Sequence, residues 1–590
     1  MAKRNLIGAR NQAARPAAPP GTKEPSAARG LWLQRVLLAL AALCLLGLFS
    51  TEIADTDFWW HLKTGEYILQ RRALPVPDPF SYTADLGKPA YPGEERIRYF
   101  NLTHEWLAQV VWHLVYRAAG FPGVVLFKAL LLSAFCAIAG VLAARRSGEF
   151  WWGLAAAAAT APLASLFSAD RPALVTFTLV AVFIFILERG GPLWLLPLLS
   201  VIWANSHGGF FLGWVILGAY AAGASIESWF RGAVGSPRRV WIVTILSIAL
   251  SGLNPSSFHI FQILAAYRQS YLTQNLIEWS RPHLWGPPYL FNILLYAAAV
   301  LLVVQWRRVR SSDWLLYLAF STAALAAFRN IPLIAFLAPI LIATYFPWRV
   351  KVPRLAGPAA AVLLGAGLAV GVAQGRFFQL RAALWRFPAG AADFLVAHRI
   401  REPIFNTYEY GGYLIWRLWP DYRVFIDGRA LDESVYRDYV RILGSSGSTN
   451  EESRFARRHM LARYGVGAIV ANGFEYTTGT LYSMIPALAD PAETEWQLAY
   501  EDPQGLVFLR HPPPGLPLLD KSRVAGHLEA ECRLHIEKDP ELCLCARTLG
   551  FLFLRFGDAA RARRSFALYL ASPHQYDPAA EKAYRGLARQ

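Results

Sequence analysis

LWLQRVLLALAALCLLGLFS (residues 31–50) runs directly into TEIADTDFWWHL (residues 51–62), and that junction decides how the rest of the chain is read. The first string has no charge after Arg35 and is close to the length that crosses a hydrocarbon core at about 1.5 Å per residue. Its basic flank resembles that of a signal peptide. No small-residue cleavage site follows, so it reads as an uncleaved first helix leading outward. Residues 1–30 are basic, rich in Ala, Pro and Gly, and carry no apolar period, which predicts a disordered cytoplasmic arm.

Further apolar runs lie at roughly 121–144, 150–168, 172–188, 191–206, 210–229, 240–253, 289–306, 314–328, 331–347 and 356–375, about eleven spans with the first. The chain has 590 residues, 55% of them hydrophobic, with 21 Trp, and its mean hydropathy is +0.29. This composition favours a membrane class. A net charge of +17 raises the question of nucleic acid. The cations instead sit in short clusters between apolar runs: Arg145-Arg146, Arg189, Arg231 to Arg239, Arg307 to Arg310 and Arg349 to Arg354. That is the distribution of cytoplasmic loops, and no nucleic-acid partner is expected. With the N-terminus inside, an odd number of spans places everything after about residue 376 outside.

The opposite ends of the spans carry mixed polar groups: Asp55, Asp57 and His61; His104 and Glu105; Asp170 and Arg171; Asn205 and His207; Glu278, Arg281 and His283; Arg329 and Asn330. Such groups are costly at a membrane face unless they pair or line a wet cavity, so a polar cavity suited to a phosphate- or sugar-bearing ligand is expected. The large outer loop 51–120 contains two amphipathic stretches, Phe58 to Gln70 and Thr103 to Arg117, that predict interfacial helices around a Pro-rich turn region, Pro75 to Pro92.

Residues 376–515 change to soluble α/β composition. Ile404 to Asn406, Tyr422 to Asp427, Val466 to Ala471 and Gly505 to Arg510 predict strands, and 389–401, 432–443, 451–464 and 480–489 predict helices. Residues 516–590 hold one helical hairpin, Arg547 to Pro573, near tetratricopeptide spacing, read as a docked cap or a decayed remnant. Cys532, Cys543 and Cys545 allow one disulfide and an odd thiol.

Several constellations carry chemistry. Asp55 and Asp57 could share a divalent cation, or one could act as base while the other orients it; the alternative for Asp57 is the N-cap of the helix starting at Phe58. His104-Glu105 offers an acid and a base, or a capped amphipathic helix with Trp106 in the aromatic belt. Asn205-Ser206-His207-Gly208-Gly209 is either an unwound turn exposing backbone to a ligand or an ordinary loop. Arg329 is set for phosphate binding, with snorkelling as the alternative.

The string Asp57-Phe58-Trp59-Trp60-His61-Leu62, with Asp78-Pro79-Phe80-Ser81-Tyr82 and His104-Glu105-Trp106-Leu107, resembles the GT-C superfamily of membrane glycosyltransferases. The resemblance covers roughly residues 31–375. It implies inverting transfer of a sugar from a polyprenyl-phosphate carrier, with Asp55 or Asp57 as base or as ligand to Mg or Mn. His61, His104, Glu105, His207, Arg281 and Arg329 would then contact the donor and its phosphate. Tyr408-Glu409-Tyr410-Gly411-Gly412-Tyr413, followed by Phe425 to Arg429, is similar to the acceptor-binding Trp-Trp-Asp-Tyr-Gly region of oligosaccharyltransferases, with no Trp pair and Glu in place of Asp. It implies acceptor binding by Tyr408, Glu409, Tyr410 and Gly411; the alternative is a strand and turn of the soluble domain, with Gly411 and Gly412 serving backbone needs.

The expectation is therefore a polytopic α-helical membrane protein of GT-C type with an extracytoplasmic α/β domain and a tetratricopeptide-like tail, working on a lipid-linked sugar at the outer face of the cytoplasmic membrane. A non-catalytic scaffold that binds partners through the outer domain is the rival. A transporter ranks below both, because no internal repeat is evident and the charges collect at one face.

Overall fold

The computed structural model describes residues 25–84, 86, 88–231, 237–267, 269–271, 277–348, 351–444, 451–476, 478–574, 576 and 578–587, together with residue 577. The predicted arm lies outside these as far as residue 24, and Arg349 and most of the Arg231 to Arg239 loop do so as well. The first helix starts earlier than expected, at Pro25, and ends at Phe49.

A helix stands at each of the eleven expected spans. Five are long and apolar enough to cross a membrane by length and composition: Gly30–Phe49, the helical stretch Glu94–Ser147, Gly208–Phe230, Phe328–Tyr345 and Ala356–Ala373. The other six, Phe150–Ser165, Ala173–Arg189, Leu195–Ala204, Pro237–Ser251, Tyr289–Val304 and Ser311–Ala326, have 10 to 17 residues. Length and composition thus support five crossings, and the six shorter helices fall below that criterion. Leu195–Ala204 is the clearest case, a ten-residue apolar helix whose rise of about 15 Å covers half a hydrocarbon core.

The outer loop departs from expectation at its second helix. Glu94–Thr103 is a helix of its own, and Trp106–Ser147 begins after a break at His104-Glu105. Gly120, at φ +61°, and Pro122 interrupt this long helix, so the interfacial stretch and the span meet at a bend rather than across a loop. The first of the two expected helices forms as Phe58–Arg71, with its residues from Phe58 to Gly65 buried within the protein.

Two polar layers bound the apolar helices. At one end Arg146 and Arg310 reach both Glu188 and Asp313, joining the ends of three helices. Tyr345 donates to Asp313 at 2.5 Å and Glu227 accepts from Ser311 N–H at 2.8 Å. The Arg residues read as marks of loop orientation are thus also internal ion-pair partners. The other end holds the groups described in the next section.

The α/β domain is built on a four-stranded sheet in the order β1-β2-β4-β3, with β1 Ile404–Asn406, β2 Ala468–Ala471, β3 Gln497–Asp502 and β4 Gly505–Leu509. β1 and β2 are parallel and the other pairs antiparallel. Tyr422 to Asp427 is not a strand; it makes one isolated bridge, Ser81 to Val424, back to the outer loop. Tyr408–Leu418, whose glycines suggested strand and turn, is a helix. The tail holds helices Arg523–Lys538, Leu544–Arg555, Ala559–Ala571 and Pro578–Leu587, with Cys532 bonded to Cys545 and Cys543 free.

The domain is docked on the outer loop. Trp59 packs against Phe121, Phe387, Tyr413 and Trp416, with ring centroids 4.7 to 5.8 Å away, and these rings come from four segments of the chain. Such rings favour edge-on contacts and bury large apolar areas, so this cluster joins loop, bent helix and domain in one core.

Candidate functional site

The first helix ends at Phe49, and residues 50–57 leave it as an extended segment held by the linker to the domain: Gln379 N–H donates to Ser50 O at 2.8 Å and Ile53 bridges Ala382. This sets Asp55 and Asp57 at the mouth of the helices. Asp57 occupies the N-cap position of Phe58–Arg71, yet its side chain makes no capping bond. Both carboxylates turn to Arg171, which lies between the helices Phe150–Ser165 and Ala173–Arg189.

The two are held differently. Arg171 donates from Nε to Asp55 Oδ2 at 2.5 Å and from Nη2 to Asp55 Oδ1 at 3.0 Å, a bidentate fork. Asp57 Oδ2 is 3.4 Å from Nη1 of the same guanidinium, which also donates to Glu278 at 3.2 Å. Burial drives both carboxyls upward. The fork outweighs it at Asp55, which sits below its usual value, whereas Asp57 is pushed up to about 6 by burial and the neighbouring Asp55 charge. Arg171 keeps 32% of its side chain exposed, so it can still face a ligand.

Below this pair Lys128 meets Asp170 at 2.9 Å and donates to Thr51 O and Oγ1 at 3.1 Å. Burial raises Asp170 to about 6. Lys128 lay hidden within an apolar run and no sequence signal marked it. Arg171 stood among the polar span ends but gave no reason to be singled out; only the fold brings it to the aspartates.

The second cluster surrounds Glu105. His104 Nε2 lies 3.2 Å from Glu105 Oε1, His207 Nε2 3.8 Å from the same oxygen, and His61 Nδ1 3.6 Å from Oε2. Gly209 N–H donates to His207 Nδ1 at 3.1 Å, so that nitrogen is the acceptor and Nε2 carries the hydrogen that faces Glu105. Thr176, which accepts from Trp203 Nε1–H at 2.8 Å, lies 2.8 Å from the same Nδ1. Burial holds His61 down at about 4 and His207 at about 3, so both are neutral at pH 7. The helix break at Asn205 to Gly209 is real, and Asn205 uses it to accept from Trp106 Nε1–H at 2.7 Å, interlocking the two loops.

Arg329 stacks over Trp279 at 5.0 Å, one residue from the Glu278 that pairs with Arg171, and among the described residues no carboxylate pairs with it. Of the expected donor-binding residues, then, His61, His104, Glu105, His207 and Arg329 gather at the Asp55–Asp57 end. Arg281 does not: it is exposed, and no hydrogen bond or ion pair joins it to the cluster.

The expected acceptor residues divide. Tyr408 OH donates to Gly428 O at 2.9 Å, beside Asp57. Glu409 accepts from Tyr482 OH at 2.6 Å, its other oxygen is buried without a partner among the described residues, and burial raises it to about 7. Tyr410 is fully buried, donating to Gln504 O, and a side chain at Gly411 would meet Ile426 O at 2.1 Å. Glu409 and Tyr410 thus serve the interior of the domain, and Gly411 serves its close packing.

A divalent cation at Asp55 and Asp57 needs free carboxylate oxygens. Both oxygens of Asp55 are taken by Arg171, and among the described residues no group of three or more His, Cys, Asp or Glu is disposed to hold a metal ion. As arranged, Asp55 is committed to Arg171, and Asp57 is the carboxylate of the pair without a short bond to that guanidinium.

No family model matches the chain, and no curated protein matches it. Among solved structures it is similar to the Archaeoglobus fulgidus oligosaccharyltransferase tethered by a disulfide to an acceptor peptide containing the NVT sequon, at 12% identity and a TM-score of 0.49, over 84% of this chain and 76% of that one.

Proposed function

We propose that the chain transfers a sugar from a polyprenyl-phosphate donor to an acceptor at the outer face of the cytoplasmic membrane. The observation that carries this reading is the divided aspartate pair: Asp55 is neutralised by a bidentate Arg171, while Asp57, two residues on, is raised to about 6 and touches only one corner of the same guanidinium. Carboxyls whose environments pull their proton affinities apart take different roles in a reaction.

In this reading Asp57 takes the proton from the acceptor nucleophile as its oxygen or nitrogen bonds to the anomeric carbon. The bond from that carbon to the phosphate oxygen breaks, and polyprenyl phosphate leaves with the electron pair. Arg171 and Arg329, the latter without a carboxylate of its own, neutralise the charge that develops on the leaving phosphate. Asp55 holds Arg171 in place. His61 and His207, neutral, offer hydrogen bonds to the sugar, and the apolar helices hold the polyprenyl tail. The disulfide between Cys532 and Cys545 supports an extracytoplasmic tail, since such bonds persist in oxidising compartments.

The test is transfer from labelled undecaprenyl-phosphate sugars by the purified chain, comparing wild type with Asp57→Asn, Asp55→Asn and the double variant. Asp57→Asn is expected to lose about 10²–10⁴-fold in rate while remaining folded. In wild type the rate should rise through about pH 6, as Asp57 loses its proton. A folded double variant indistinguishable from wild type would leave the scaffold as the working reading.

A further inference from the structure

Asp57 is bounded on its far side by the α/β domain, where a side chain at Gly428 would collide with its carboxylate and displace it. A side-chain carbon built on Gly428 would lie 1.7 Å from Asp57 Oδ1, and one built on Gly412 would lie 2.4 Å from Thr56 O. Gly428 does not have a positive φ, so backbone conformation does not explain the glycine. The contact does: the domain's backbone lies directly against the carboxylate.

What presses Gly428 there is its neighbour Arg429. Its guanidinium donates from Nη1 to Asp78 Oδ1 at 2.7 Å and from Nη2 to Asp78 Oδ2 at 3.2 Å. From Nε and Nη2 it also donates to the two oxygens of Asp427, at 2.7 and 2.8 Å. All three side chains are buried, 2% or 3% exposed, and the guanidinium sits over Trp60 and Phe80. Asp78 belongs to the outer loop and Asp427 to the domain. A buried ion triad is a weak source of net stability, because desolvation offsets most of the attraction. It does fix geometry, since a planar fork between two carboxylates permits one arrangement. The bridge from Ser81 to Val424 and the bond from Tyr408 OH to Gly428 O hold the same segment from either side.

We propose that Asp427-Gly428-Arg429 is a positioning segment for the transfer reaction: the domain, stapled to the outer loop through Asp78, sets the carboxylate of Asp57 against the backbone of Gly428. This rests on the transferase reading and gives the domain a part in the chemistry apart from acceptor capture. Arg429 touches no reacting atom; it acts through Gly428 on Asp57.

Two measurements on the full-length protein test it. The first needs no substrate. Gly428→Ala should lower the thermal midpoint in detergent in the wild-type background and lower it much less in an Asp57→Ala background, where the colliding carboxylate is gone. Equal losses in both backgrounds would overturn the contact. The second is transfer from labelled undecaprenyl-phosphate mannose and undecaprenyl-phosphate glucose. Gly428→Ala and Arg429→Gln are expected to lower kcat by tenfold or more with KM for the donor within about twofold, and Arg429→Lys, which keeps charge but not the fork, should recover only part of the loss. Wild-type kcat in a folded Gly428→Ala would overturn the positioning role and leave the transferase reading standing. A wild-type chain silent with every donor, together with coupled thermal losses, would instead overturn the transferase reading, and the positioning role with it, while the contact stood.

Discussion

Asp55 and Asp57 share a motif, a loop and a guanidinium, yet differ in what their oxygens can do. Asp55 is locked in two charge-assisted bonds; Asp57 meets the same guanidinium at one longer contact and has a glycine at its back. Removing Arg171 should therefore be felt first as an uncompensated buried charge on Asp55. Arg171→Gln is expected to cost roughly 2–3 kcal/mol in detergent unfolding, discounted for the guanidinium's partial exposure. Asp55→Asn added to it should restore part of that loss; a purely additive pair would count against the fork. The aspartates were legible in the sequence because two carboxylates directly follow a span. Arg171 was not, because a cation 116 positions away carries no local mark of its partner.

At the scale of elements, the helix Tyr408–Leu418 shows how packing overrides composition. Its paired glycines read as a turn, but each meets a foreign carbonyl, Gly411 that of Ile426 and Gly412 that of Thr56, so they are small because neighbours approach and not because the chain bends. The same helix carries Glu409, whose raised value makes a prediction. The folded state keeps a proton that the unfolded chain releases above its ordinary value, so this group's contribution to stability declines as pH rises from about 4.5 through about 7. Glu409→Gln should remove that decline and raise stability at pH 8 by at most about 3 kcal/mol, read as a higher thermal midpoint; an unchanged pH profile would show that Glu409 is ionised in the fold. His61 and His207 act in the opposite sense. Their values fall on folding, so the stability they contribute is lost as pH falls from about 6.5 through about 4 for His61 and about 3 for His207. His61→Gln with His207→Gln should flatten the acid limb of a thermal melt.

Across the whole molecule, ion pairs gather at the two ends of the helices: Arg146, Glu188, Arg310 and Asp313 at one, and Lys128, Asp170, Arg171 and the aspartates at the other. The first set stands on the Arg-rich loops expected in the cytoplasm. Alkaline phosphatase fused after residue 375 is then expected to be active, and inactive when fused within 307–310; the reverse pattern would invert the proposed orientation. Because the domain is docked on the outer loop through Trp59 and Arg429, it should also resist limited proteolysis as one body with the helices.

By itself the sequence determined where the long apolar helices lie and which loop carries the acids. Those features rest on length, hydropathy and local charge, which neighbouring residues settle among themselves. The helix lengths were less legible: the run 191–206 reads as one span, while its helix covers only Leu195–Ala204 and gives way at Asn205, which interlocks with the loop at Trp106. Only the tertiary structure decided that Arg171 divides the aspartates, that three imidazoles converge on Glu105, that Arg281 stands apart and that Gly428 backs Asp57. Each depends on segments distant in the chain meeting in space, and pairing between buried charges is fixed by that meeting and not by either segment alone.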